Sequence, residues 1–326
     1  MRRPSVLKTA PFSCAACGKA QNDAVWKCFG LERSGTACIW LGKFIEARAY
    51  FENYLSLWNP SYRAFWASPE DLWVAGLFDL SRTLLCLGYI DQALLRQNQG
   101  LAEARRLSPF SLVHALGFAF FGDWVAGKIR SPEAMLRSAD ELVATADELG
   151  FTFWLGAGNI FRGWCLGAMG QAAEGIPSLL EGIAIYRSTS GKTIMPTNLM
   201  MLAEIYGIAA QPEEGLARLA EAAELVETTQ ERWGEAELHR LRGTLLQSLS
   251  ECAAAEDSYY RALAVARRQS AKFWELRAAI SLARLWRDQG KLIEARDLLA
   301  PVYGWFTEGF DTPVLKDAKL LLGQLG

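Results

Sequence analysis

Four short stretches decide how this chain is read: Gly170-Gln171-Ala172-Ala173-Glu174-Gly175, Ala210-Gln211-Pro212-Glu213-Glu214-Gly215, Ser250-Glu251-Cys252-Ala253-Ala254-Ala255 and Gly290-Lys291-Leu292-Ile293-Glu294-Ala295. They begin 40 residues apart and share a turn residue, a short polar link and a small residue five places on. Such a period marks stacked supersecondary units rather than one globular core. Upstream, Gly42 and Gly88 extend the series, so the small column reads Ala47, Ala93, Gly175, Gly215, Ala255 and Ala295. A second small column lies seven residues before each turn: Gly35, Ser81, Gly163, Ala203, Gly243 and Ala283. The mark at Arg130 breaks both columns, with Asp123 and Met135, and its frame is expected to be shifted.

Small residues on both sides of a turn let two antiparallel helices cross closely. The tetratricopeptide (TPR) pattern has this arrangement, with a usual period of 34. The longer period here lengthens each helix by roughly one turn. The expected fold is all-α: a TPR-like α-solenoid of about seven antiparallel helix pairs plus a C-terminal capping helix. First helices are expected near 32–41, 70–87, 109–126, 152–169, 196–209, 231–249 and 272–289, with a cap over 313–325. Pro109, Pro132, Pro212 and Pro313 sit at helix starts, where a missing N–H costs little. The division expected is an N-terminal, Cys-rich segment 1–33 and a repeat domain 34–326, with a hinge near 59–69.

The whole composition agrees. Of 326 residues, 51% are hydrophobic, 21% charged and 11% aromatic, with a net charge of −2. That balance folds, and it supplies no basic field for nucleic acid or an anionic membrane. No apolar run is long enough for a secretory core or a membrane span. The chain is therefore expected in the cytoplasm, with its seven cysteines reduced.

Chemistry finds little support. Cys14 and Cys17 form a C-x2-C, half of a zinc site, but Cys28 and Cys38 are too far apart to supply the other half. Ser190-Gly191-Lys192-Thr193 ends like a phosphate loop, yet Tyr186 stands where its first glycine belongs. His114 and His239 are the only histidines, and Glu235 with His239 makes an i,i+4 pair rather than a metal site. No catalytic residue, cofactor or metal is expected.

A surface remains. Groove-facing positions of the TPR frame, transferred by register, give Trp164, then Thr197, Met200 and Glu204, then Glu237, Arg240 and Gln247, then Arg277, Arg284 and Arg287. The guanidinium groups suit a protein or peptide partner carrying carboxylate or phosphate. A solvated charged face, balanced by Glu235, Glu237, Glu275 and Asp288, is the plainer reading.

Four segments carry a resemblance to a known family: Gln-Pro-Glu-Glu-Gly-Leu at 211–216, Glu-Arg-Trp-Gly-Glu-Ala-Glu-Leu-His-Arg-Leu-Arg-Gly at 231–243, and the stretches 276–291 and 294–312. They resemble the TPR-like C-terminal region of large bacterial signalling ATPases that often carry a class III adenylate/guanylate cyclase domain. Ser190 departs from that pattern, where the family usually has Gly. The resemblance implies a regulatory, partner-binding role in signal transduction. The family's cyclase and ATPase modules precede the repeats and are not recognisable here. A fragment whose catalytic domains lie upstream is the alternative expectation.

Overall fold

The computed structural model describes residues 24–66, 69–125, 131–189 and 193–326. Among them are fifteen α-helices, one 3-10 helix and no strand. Seven antiparallel pairs follow one another: α1 (Ala24–Trp40) with α2 (Phe44–Leu57), α3 (Leu72–Leu87) with α4 (Ile90–Leu107), and α5 (Pro109–Val125) with α6 (Pro132–Glu148). The series continues with α7 (Thr152–Ala168) and α8 (Ala172–Ser188), then α9 (Met195–Ile208) and α10 (Pro212–Thr229). It ends with α11 (Glu235–Ser248) and α12 (Cys252–Arg268), α13 (Lys272–Asp288) and α14 (Leu292–Gly304), and the cap α15 (Pro313–Gln324). The all-α solenoid of seven pairs plus a cap is therefore the fold. The described part of the first helix already runs from Ala24, ahead of the expected Glu32.

The turn column has a single backbone cause. Gly42, Gly88, Gly170, Ala210, Ser250 and Gly290 all have positive φ, between 56° and 97°. This left-handed residue reverses the chain, and the next N–H reaches back into the ending helix, as in Lys43 to the Cys38 carbonyl (2.8 Å) and Lys291 to that of Trp286 (2.8 Å). Such 6→1 bonds satisfy carbonyls that a helix end leaves open. The small columns are equally physical. A Cβ at Gly163 would lie 2.6 Å from the Gly175 carbonyl oxygen and the Leu179 nitrogen, and one at Gly243 would lie 2.5 Å from the Tyr259 ring.

First and second helices differ in burial. All of α3 except Trp73 is buried, whereas α4 buries only the stripe Ile90, Ala93, Gln97, Gly100 and Ala104. The first helices thus face inward and the second helices face solvent. The interruption expected to act as a hinge holds the 3-10 helix Pro60–Phe65. Arg63 there is paired with Asp71 (2.6 Å) and Glu103 (2.9 Å).

The winding is tight enough that the repeats meet again five pairs later. Trp40, at the end of α1, accepts a hydrogen bond from the Arg232 N–H (2.6 Å) and packs edge-on against Trp233, just before α11. Tyr89, after α3, meets Trp305 beyond α14 (centroids 5.8 Å apart). Gln92 donates to Glu308 (3.1 Å), and the Gly309 N–H donates to Asp91 (3.1 Å). Between these layers Arg82, 3% exposed, lies against the rings of Trp40, Trp233 and Phe118. The inner face is thus largely a packed core.

Candidate functional site

Where the core does not close, six inward helices leave a cavity of about 170 Å³ lined by Trp124, Trp164, Glu204, Arg240, Arg277, Ile280, Ser281, Val314 and Asp317. The 40-residue register builds it. Trp124, Trp164 and Glu204 occupy one repeat position on α5, α7 and α9, and Arg240 and Ile280 share another on α11 and α13. Equivalent positions in successive first helices stack side by side, so a column in sequence becomes a row in space.

Two charged arrangements face this space. In the first, Glu204 Oε2 accepts hydrogen bonds from both indoles, Trp124 Nε1 at 3.1 Å and Trp164 Nε1 at 2.8 Å. In the second, Glu237 receives Arg240 through two parallel bonds (2.8 and 2.7 Å) and Arg277 at 2.9 Å. Arg277 also donates to the Val125 carbonyl (2.9 Å), across 152 residues of chain, and lies over the Trp274 ring. Glu237 is 1% exposed. Burial alone would raise its pKa, but the two guanidinium groups and the Arg240 hydrogen bonds outweigh that and hold the carboxyl below its ordinary range. Arg240, buried beside the same carboxylate, is pushed up by it. Arg277 is pulled down, because burial and the neighbouring Arg240 outweigh the pull of Glu237 and Glu204.

Of the residues selected by register, Trp164, Glu204, Arg240 and Arg277 meet at the cavity, with Glu237 directly behind. Met200 and Glu237 are each 1% exposed and present no open groove surface. Thr197 is wholly buried as well. Gln247 accepts from the Tyr259 hydroxyl (2.9 Å). Arg284 is paired with Asp317 of the cap, which lines the mouth. Arg287 lies further out, on Asp288 (2.8 Å) and Gln324 (2.6 Å).

Register transfer missed Trp124, Ile280, Ser281, Val314 and Asp317. Trp124 stands 40 residues before Trp164, and its bond to Glu204 mirrors that of Trp164. The third first helix is therefore in frame, contrary to the shift expected from Asp123, which is buried and accepts from Gln97 (3.1 Å). Asp317 belongs to the cap, which no repeat column reaches.

Cys14, Cys17 and the stretch 190–192 lie outside the described residues. Among the described residues no group of three or more His, Cys, Asp or Glu side chains is placed to hold a metal, and no helix is long and apolar enough to cross a membrane. Glu235 bonds not to His239 but to Arg232 and Arg268, each at 3.3 Å.

No family model and no curated protein sequence matches the chain. Solved structures do. A Rap protein crystallised with Competence and Sporulation Factor aligns over 91% of this chain and 87% of its own, with a TM-score of 0.59 and 14% identity. The apo form of RapI aligns over 91% of this chain and 99% of its own, with a TM-score of 0.53 and 12% identity. A Signal Transduction ATPase with Numerous Domains with a tetratricopeptide repeat sensor, from Pyrococcus horikoshii, shows 12% identity and a TM-score of 0.49 over 90% of this chain and 49% of its own. At such identities the first two likenesses establish the helical-repeat fold.

Proposed function

We propose that this chain is a non-catalytic regulatory module of bacterial signal transduction, binding a protein or peptide partner from within its superhelix. The observation that carries the proposal is the cavity itself. There side chains from six helices border open space. A partly open cavity lined by oriented charges supports reading it as a place where a ligand is held. The Rap protein of similar fold was crystallised with Competence and Sporulation Factor, which supports reading the fold as a receptor for a regulatory ligand. The resemblance of 211–216, 231–243, 276–291 and 294–312 to repeat regions of signalling ATPases and cyclases supports the signalling role and a cytoplasmic setting. The partner enters past Arg284 and Asp317, so an acidic partner segment would compete with Asp317 for the Arg284 guanidinium.

The test is affinity capture from extract of the native host, with the wild-type chain and Ser281→Trp as paired baits. The indole would fill the space beside Arg240 without removing a charge. Partners held by the wild type and absent from the variant support the reading. Identical capture by both baits, with melting unchanged, overturns it.

A further inference from the structure

We infer that the cavity selects a ligand bearing an ammonium and a carboxylate on one small molecule, the α-amino-acid class, with the ammonium on Glu204 and the carboxylate on Arg240. The inference rests on the cavity being the binding site proposed above. It follows from two charges that face one space without forming a direct pair. Arg240 and Arg277 share one carboxylate, Glu237, so that group carries one positive charge in excess. Arg240 spends Nε and Nη2 on Glu237, and its Nη1 has only two long contacts, 3.4 Å each, to the Thr244 and Ser281 hydroxyls. Across the space, Glu204 is fixed by two indole N–H groups on one oxygen, and among the described residues no basic side chain reaches ion-pair distance of it.

Opposite charges that border one partly enclosed space without touching are placed for a ligand that joins them. A lone cation would satisfy Glu204 and leave the arginines, and a lone anion would do the reverse. A zwitterion satisfies both, and about 170 Å³ exceeds what a single ion fills. The two tryptophans sharpen the case. They aim and immobilise the Glu204 carboxylate through Oε2, while among the described residues its other oxygen has no hydrogen-bond partner.

Calorimetric titration of the full chain tests this. The probes are the free L-amino acids, the N-acetyl and amide forms of any that bind, and the peptides Ala-Ala and Ala-Ala-Ala. At least one zwitterion should bind, and each derivative lacking one charge should bind about tenfold or more weakly. Tighter binding of the free amino acids identifies a metabolite as the source. Tighter binding of the peptides, with both charges still required, identifies a peptide. In Glu204→Gln the amide oxygen still accepts both indole N–H groups, and the penalty for N-acetylation should vanish. No binding of any probe below roughly 10 mM, or the same affinities in Glu204→Gln, overturns the inference. If Ser281→Trp nonetheless abolishes capture of a partner, only the ligand class is wrong; if both experiments fail, so is the site.

Discussion

At the scale of single residues, Glu237 is the side chain on which the interior charges depend. Removing one member of a buried ion group strands the others. Glu237→Ala should therefore destabilise by about 3–5 kcal/mol, read as a lower urea midpoint, whereas replacing Arg277, which also has the Val125 carbonyl, should cost less. Two further acids give a pH signature. Burial raises Glu32 to about 8 and Glu231 to about 7, against an ordinary value of 4.5. Each binds its proton more tightly when folded. Their contribution is thus full below about pH 4.5 and is lost as pH rises through 7 and then 8. Melting temperature should fall between pH 5 and pH 8.5, and Glu32→Gln with Glu231→Gln should flatten the curve. A double variant whose pH dependence matches that of the wild type would contradict both assignments. Register alone identified Trp164, Glu204, Arg240 and Arg277, because side-chain direction in a regular stack follows position. It could not show that Glu237 and Met200 are buried, since Glu237 is closed in by Arg240 and Arg277 and Met200 lies against Gly234, contacts of individual side chains that no register position specifies.

At the scale of the helix pair, nearly everything was legible in advance. The turn residues, both small columns and the number of pairs follow from local backbone geometry, which a 40-residue repeat prints many times. Two substitutions test that geometry. Gly163→Ala pushes a methyl into the backbone of α8, where nothing can rotate aside, and should cost about 1–3 kcal/mol. The same experiment at Gly243 meets the Tyr259 ring and should cost less. A Gly163→Ala protein with wild-type stability would mean the crossing is looser than described. Ser250, with φ of 64°, occupies a place that glycine holds in four other turns. Ser250→Gly should relieve that strain and raise stability by roughly 0.5–1 kcal/mol, seen as a higher urea midpoint.

At the scale of the whole molecule, the decisive feature is the contact between turns of the superhelix. An open array has nearest-neighbour contacts only and can melt from its ends. Here Tyr89 with Trp305 and Gln92 with Glu308 couple the second pair to the last. Calorimetry should show one transition with equal calorimetric and van't Hoff enthalpies. Trp305→Ala combined with Glu308→Ala should uncouple the layers and make the calorimetric enthalpy exceed the van't Hoff value. These contacts left no trace in the sequence, because each is made once, between residues some 200 positions apart, and no period repeats it. They also bear on how such a protein can evolve. Open solenoids lengthen and shorten readily by gene duplication or deletion of a unit. In this chain an added unit anywhere between Tyr89 and Trp305 would rotate one layer out of step with the other, parting Trp40 from Trp233 or Arg277 from Val125. The copy number of its repeats is locked by the geometry of a single overlap.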